Sequence, residues 1–159
     1  MKLKARHLAV AGALALPAIA AAVLLLGGSR SESQGLLRPD DAAFVAQGGR
    51  LYGQHCASCH GAELEGQPNW RRRGADGLLP APPHDAGGHT WHHSSAHLIE
   101  LTRFGPQRFA GPDYRSAMPA YEGTLSEAEI AAILSFIKST WPPEIRQRHD
   151  AIDAQAAGR

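Results

Sequence analysis

The chain is poor in several things. Two of its 159 residues are cysteine, two are methionine, and aromatics make up only 6 %. No run of alternating apolar and polar residues marks a strand, and no internal repeat is visible. Acid is missing altogether from the first 28 residues. Each shortage excludes something. Two cysteines rule out a disulfide-dense scaffold and a four-thiolate zinc site. The lack of strands removes the βαβ setting in which a C-x-x-C pair would read as a thioredoxin-like redox motif. The formal charge of +1 comes from a basic N-terminus joined to a nearly neutral remainder. A nucleic-acid binder held mainly by charge would need a basic face, so that class is excluded. With 17 glycines, 11 prolines and few aromatics, the apolar core is thin. A domain this small and loop-rich wants a covalent staple.

The first 28 residues are set apart by composition. Lys2, Lys4 and Arg6 precede an uncharged run from Leu8 to Leu26. As a helix that run is about 28 Å long, close to the ~30 Å of bilayer hydrocarbon. The positive-inside rule then puts the N-terminus in the cytoplasm and the rest outside. The expectation is an uncleaved single-pass anchor in a bacterial inner membrane, with the following domain in the periplasm. The alternative is a cleaved secretory signal, since Ala18, Ala20, Ala21 and Ala22 offer small residues to a peptidase. Both readings export the domain. The divisions expected are 1–28 anchor or signal, 29–40 tether, 41–142 domain, and 143–159 polar C-terminal tail.

Within the exported part, Asp40-Asp41 signals an N-cap, and apolar residues recur at helical spacing to about His55. Residues 61–93 are rich in Gly and Pro and read as loop. Ser94-Ser95 caps a helix to about Phe104, which Gly105-Pro106 ends, and 106–124 is again loop. Ser126 with Glu129 forms a capping box. Ile130, Ile133, Leu134, Ile137 and Trp141 then mark one side of a helix that Pro142-Pro143 stops. Residues 144–159 read as a frayed helix or disordered tail. The class is all-α with long loops. Such loops fit a compact domain if they wrap a large apolar group.

Cys56-Ala57-Ser58-Cys59-His60 is the spacing C-x-x-C-H, the attachment sequence of c-type haem. Two thiols three apart on a helical turn reach the two vinyl groups on one edge of haem and form thioethers, and His60 then falls under the iron. The links supply the staple. A zinc site would want further ligands, and a plain disulfide would leave His60 unexplained. The far side of the iron calls for a second ligand. Met118, in Ser116-Ala117-Met118-Pro119, is the thioether candidate, since Met1 is the start residue. A soft thioether favours ferrous iron.

At these residues the chain resembles the class I cytochromes c, over about 41–142. The resemblance implies a cytochrome c fold around one covalent haem c, with His60 as proximal and Met118 as distal ligand. It implies a crossing of first and last helices in which Gly48 and Tyr52 meet Phe136. It also implies that a loop proline carbonyl accepts the His60 Nδ1–H, with Pro80 and Pro82 as alternatives.

The chain departs from small cytochromes in the loop holding His84, His89, His92, His93 and His97. Three readings stay open: one of these histidines replacing Met118 on the iron, a copper or other divalent metal site at His89, His92 and His93 with His97 as a further ligand, or histidines that bond propionates and carbonyls or face solvent. Trp91 beside them is placed to cover a haem edge. Trp70 with Arg71-Arg72-Arg73 is a basic cluster that can steer docking to an acidic partner. The function expected is a membrane-tethered one-electron carrier, not an enzyme, that docks transiently with redox protein partners. The alternatives are a haem protein with open or His-ligated iron, acting as peroxidase or sensor, and a metal-handling protein working through the His-rich loop.

Overall fold

The computed structural model describes residues 35–158. Among them are helices α1 (Ala42–His55), α2 (Ala57–His60), α3 (Ser95–Phe104), α4 (Gln107–Ala110), α5 (Glu127–Ser139) and α6 (Pro143–Ala157), with a 3-10 turn at Thr90–His92 and no strand. The expected span Leu8–Leu26 lies outside the described residues. No helix among those described is long and apolar enough to cross a membrane.

The helix starts follow from their caps. The Asp41 carboxylate accepts the Phe44 N–H, and Ser94 accepts the His97 N–H. Ser126 and Glu129 bond reciprocally, so two otherwise orphaned donors at the start of α5 are satisfied.

Helix α5 is the centre of the molecule. Ile130, Ile133, Leu134 and Ile137 are all buried, each worth about 1.5–3 kcal/mol against exposure. Periodicity showed one apolar side; the structure buries Ala131, Ala132, Ser135 and Lys138 as well. Ala131, Ala132 and Ser135 are small and let neighbouring backbones come close, while Lys138 is paired with Asp150. At the crossing with α1, a Cβ placed on Gly48 would lie 1.9 Å from the Ala132 carbonyl oxygen. The Tyr52 and Phe136 rings pack alongside with centroids 5.5 Å apart. The expected crossing of Gly48, Tyr52 and Phe136 is therefore the one found.

Two stretches differ from expectation. The tether read at 29–40 is part of the domain from Leu37 on. Leu37 is buried, the Arg38 N–H donates to Ser135 Oγ at 2.9 Å, and the Arg38 guanidinium lies over Phe44. Residues 144–159, read as a frayed helix or disordered tail, belong as far as Ala157 to a docked helix that runs from Pro143. Pro143 starts it, where the missing N–H costs nothing. Its apolar share is small, but Ile145 and His149 are buried. Polar bonds do the rest. Asp153 accepts both the N–H and the hydroxyl of Ser95 at 2.6 and 2.7 Å, and Lys138 Nζ reaches Asp150 at 2.5 Å. Side-chain pairing of this kind leaves no hydrophobic period to read.

Candidate haem-attachment site

Helix α1 ends at His55 and α2 begins at Ala57, so Cys56 stands at their junction and Cys59 on the single turn that follows. The Cys56 N–H closes α1 on the Tyr52 carbonyl, and the His60 N–H closes α2 on the Cys56 carbonyl, each at 2.9 Å. Gly61, at φ +84°, ends α2 in a conformation that L side chains rarely adopt. The Tyr52 hydroxyl donates to the Gly61 carbonyl at 2.7 Å and pins the far end of the motif. Cys56 is half-buried and Cys59 exposed, and both are free thiols. Burial pushes the Cys56 thiol up to about 11, with the neighbouring Cys59 adding to the effect.

His60 is buried, and its Nδ1 lies 2.8 Å from the Pro82 carbonyl oxygen. This decides between the two prolines. The loop sets it: the Gly66 N–H bonds the His60 carbonyl, Gln67 N–H bonds Ala81, and the His84 N–H bonds Leu64. Residues 81–84 are thereby laid against 64–67, with Pro82 between the two bonded positions. Gly66 permits the approach, because a Cβ there would lie 2.4 Å from the Pro83 nitrogen. The carbonyl fixes the tautomer: Nδ1 carries the proton and Nε2 keeps its lone pair. Burial lowers the His60 pKa, against the opposing effect of the Pro82 bond.

The structure divides the His-rich loop. His84 turns inward and stacks on His60, with centroids 4.0 Å apart and planes at 23°. Its Nδ1 is 2.6 Å from Thr90 Oγ1, and its carbonyl accepts the Trp141 indole N–H at 2.8 Å. Burial and then the His60 imidazole push it down to about 3, so it is neutral at any ordinary pH. His84, stacked against His60 with its Nδ1 at Thr90, therefore belongs to the packing around the attachment turn, apart from the four outer histidines. Sequence reasoning grouped His84 with the other four; its place next to Pro83 was the only hint of a different role. Trp91 is engaged with protein. It packs on the core, stacks on His92 at 3.7 Å, and gives its indole N–H to the Ala86 carbonyl.

Met118 is half-buried in the loop before α5, and its N–H bonds Ser116 Oγ at 3.0 Å. Three residues on, Tyr121 ties this loop back to the attachment turn: its hydroxyl donates to the His55 carbonyl, and its N–H bonds Arg103 at 3.0 Å. Tyr121 was not singled out in the sequence, and nothing in its neighbours announces the bond.

These residues fit haem c. The donor set is two unpaired thiols and a neutral imidazole with one free nitrogen. The loops also leave Leu78, Leu79, Tyr114 and Met118 half-exposed and outside the protein's own core, as a large apolar group would require. A family model described as Cytochrome c matches residues 45–141. No solved structure matches the chain.

Proposed function

The chain belongs to the cytochrome c family, and from that membership we propose that it is a one-electron carrier with a single His/Met-ligated haem c. Cys56 and Cys59 form the thioethers, His60 Nε2 is the proximal ligand, and Met118 Sδ is the distal ligand. The observation that carries the reading is the 2.8 Å bond from His60 Nδ1 to the Pro82 carbonyl. It holds the ring in one tautomer, raises its basicity, and commits Nε2 to the metal. The bound haem supplies exchange between ferrous and ferric iron. With His60 and Met118 both engaged, no position is left for peroxide or a gas.

The Tyr121–His55 bond supports Met118, because it holds the loop of the second ligand against the turn that carries the first. A neutral thioether favours the ferrous state and raises the potential. The basic cluster is consistent with docking. Arg71, Arg72 and Arg73 are exposed, and the Arg71 guanidinium lies 4.0 Å over the Trp70 ring. Such a patch steers an acidic redox partner into a brief encounter. The basic, acid-free leader before Leu8–Leu26 supports a place at the outer face of the bacterial inner membrane, anchored or released there.

The test is optical. The oxidised protein shows the far-red thioether-to-iron charge-transfer band. Met118→Ala abolishes that band and lowers the potential while the haem stays covalently attached. A band and a potential that survive the substitution overturn Met118 ligation. A wild-type protein without the band gives the open-iron reading in its place.

A further inference from the structure

Away from the attachment turn, the outer part of the His-rich loop brings His89, His92, His93 and His97 near one another, and the structure sorts them. His89 Nε2 and His93 Nε2 are 3.1 Å apart. Their ring centroids are 4.8 Å apart with planes at 82°, and the His93 and His97 centroids are 5.1 Å apart. Imidazole nitrogens bound at ~2.0–2.1 Å and tetrahedral angles to one ion lie about 3.3 Å from each other, with centroids about 5 Å apart. The His89–His93 pair already stands at that separation. His92 is disposed differently. It lies face to face with Trp91 at 3.7 Å and is stacked on His89 with planes at 26°, so its in-plane nitrogens are not turned toward those of His89.

The backbone beneath the pair is firmly held. His89 precedes the 3-10 turn and His93 follows it, and the His93 N–H bonds the Thr90 carbonyl at 3.2 Å. Thr90 is buried against His84, and Trp91 bonds Ala86. His97 stands on the first turn of α3, half-exposed, and lines with His92, His93 and Gln155 a cleft between that turn and α6. Burial, followed by the neighbouring imidazoles, lowers the pKa of both His89 and His93; Arg71 adds to the effect at His89. Both are therefore neutral at pH 7 with a lone pair to give. Imidazole donors suit ions of borderline softness rather than calcium or magnesium.

We propose that His89 and His93, whose Nε2 atoms already stand together, form a surface site for a divalent transition-metal ion, Cu²⁺ before Ni²⁺ and Zn²⁺, and that the neighbouring His97 side chain rotates in as third ligand when the ion binds. Metal-free, the 3.1 Å contact requires one Nε2–H to donate to the other Nε2. The ion displaces that proton to Nδ1 or to solvent and takes both lone pairs. It would also clip the 3-10 turn to the start of α3. The other candidate group, His149, Asp150 and Asp153, already holds a cation, because Lys138 Nζ sits on Asp150.

The proposal is independent of the ligands on the haem. Its test uses the haem-loaded full chain made without a histidine tag, titrated calorimetrically with Zn²⁺ and with Cu²⁺. One equivalent binds. His93→Ala weakens binding at least tenfold, His97→Ala severalfold, and His92→Ala less than twofold. Zn²⁺ raises the melting temperature of the wild type but not of the His89→Ala/His93→Ala double variant, whose Soret band and far-ultraviolet spectrum report an intact fold. A double variant that binds as tightly as the wild type overturns the site. A loss confined to His92→Ala overturns the ligand set.

Discussion

Three glycines on α1 offer a graded test of what holds the two central helices together. A methyl group on Gly48 would stand 1.9 Å from the Ala132 carbonyl oxygen, whereas real Cβ contacts essentially never fall below 3.0 Å. The opposing atoms are backbone, so α1 and α5 must part by more than about 1 Å. That strips contact from the buried isoleucines of α5 and from the Tyr52–Phe136 pair. Overpacking of this kind costs about 3 kcal/mol, and the gain in helix propensity from Gly to Ala returns about 1 kcal/mol. Gly48→Ala should thus lose about 2 kcal/mol, or roughly 8 °C in melting temperature for a domain of this size. On Gly49 the methyl would meet the Phe136 ring at 3.3 Å, and a side chain can yield, so Gly49→Ala should fall near neutrality. Gly53 has nothing within 4 Å, so Gly53→Ala keeps only the propensity gain and should rise by about 1 kcal/mol. Guanidinium denaturation of the three haem-loaded variants reads the series directly. If Gly48→Ala matches the wild type, or if Gly53→Ala is harmed as much, the close crossing is not what sets stability here.

Asp153→Ala leaves the buried Ser95 N–H and hydroxyl without an acceptor. It should cost about 2–3 kcal/mol, and a loss under 0.5 kcal/mol by chemical denaturation would show that α6 is docked by other means. His149 has its pKa lowered by burial first and then by Lys138, against the opposing pull of Asp153 and Asp150. The unfolded chain therefore takes up a proton near pH 6.5 that the native state refuses. Stability from this group is full above that pH and lost as pH falls through it, by at most about 1.4 kcal/mol per pH unit. His149→Leu should flatten the stability profile between pH 7 and 5, and parallel profiles for the two proteins would contradict the assignment.

Much of this was legible because local chemistry wrote it. Asp41, Ser94 and the Ser126–Glu129 box announce three helix starts, and each is used. Cys56, Cys59 and His60 are a five-residue pattern whose geometry is contained in a single backbone turn. What stayed hidden depends on distant partners. Pro80 and Pro82 look alike until Gly66 lets residues 81–84 lie against 64–67. His84 is one of five histidines until it stacks on His60. Helix α6 is mostly polar, and its attachment through Lys138, Ser95 and Asp153 has no periodic signature.

The acceptor for His60 is a main-chain oxygen, and this changes what mutation can reach. Replacing Pro82 by another residue would leave a carbonyl in the same place, so substitution scanning would pass over the group most closely coupled to the imidazole's basicity. The electronic tuning of this imidazole, the proposed iron ligand, is written into loop register, not into a side chain. It can be altered only by changing the path of the chain, for example at Gly66, where the effect would look like a folding defect rather than a shift in potential.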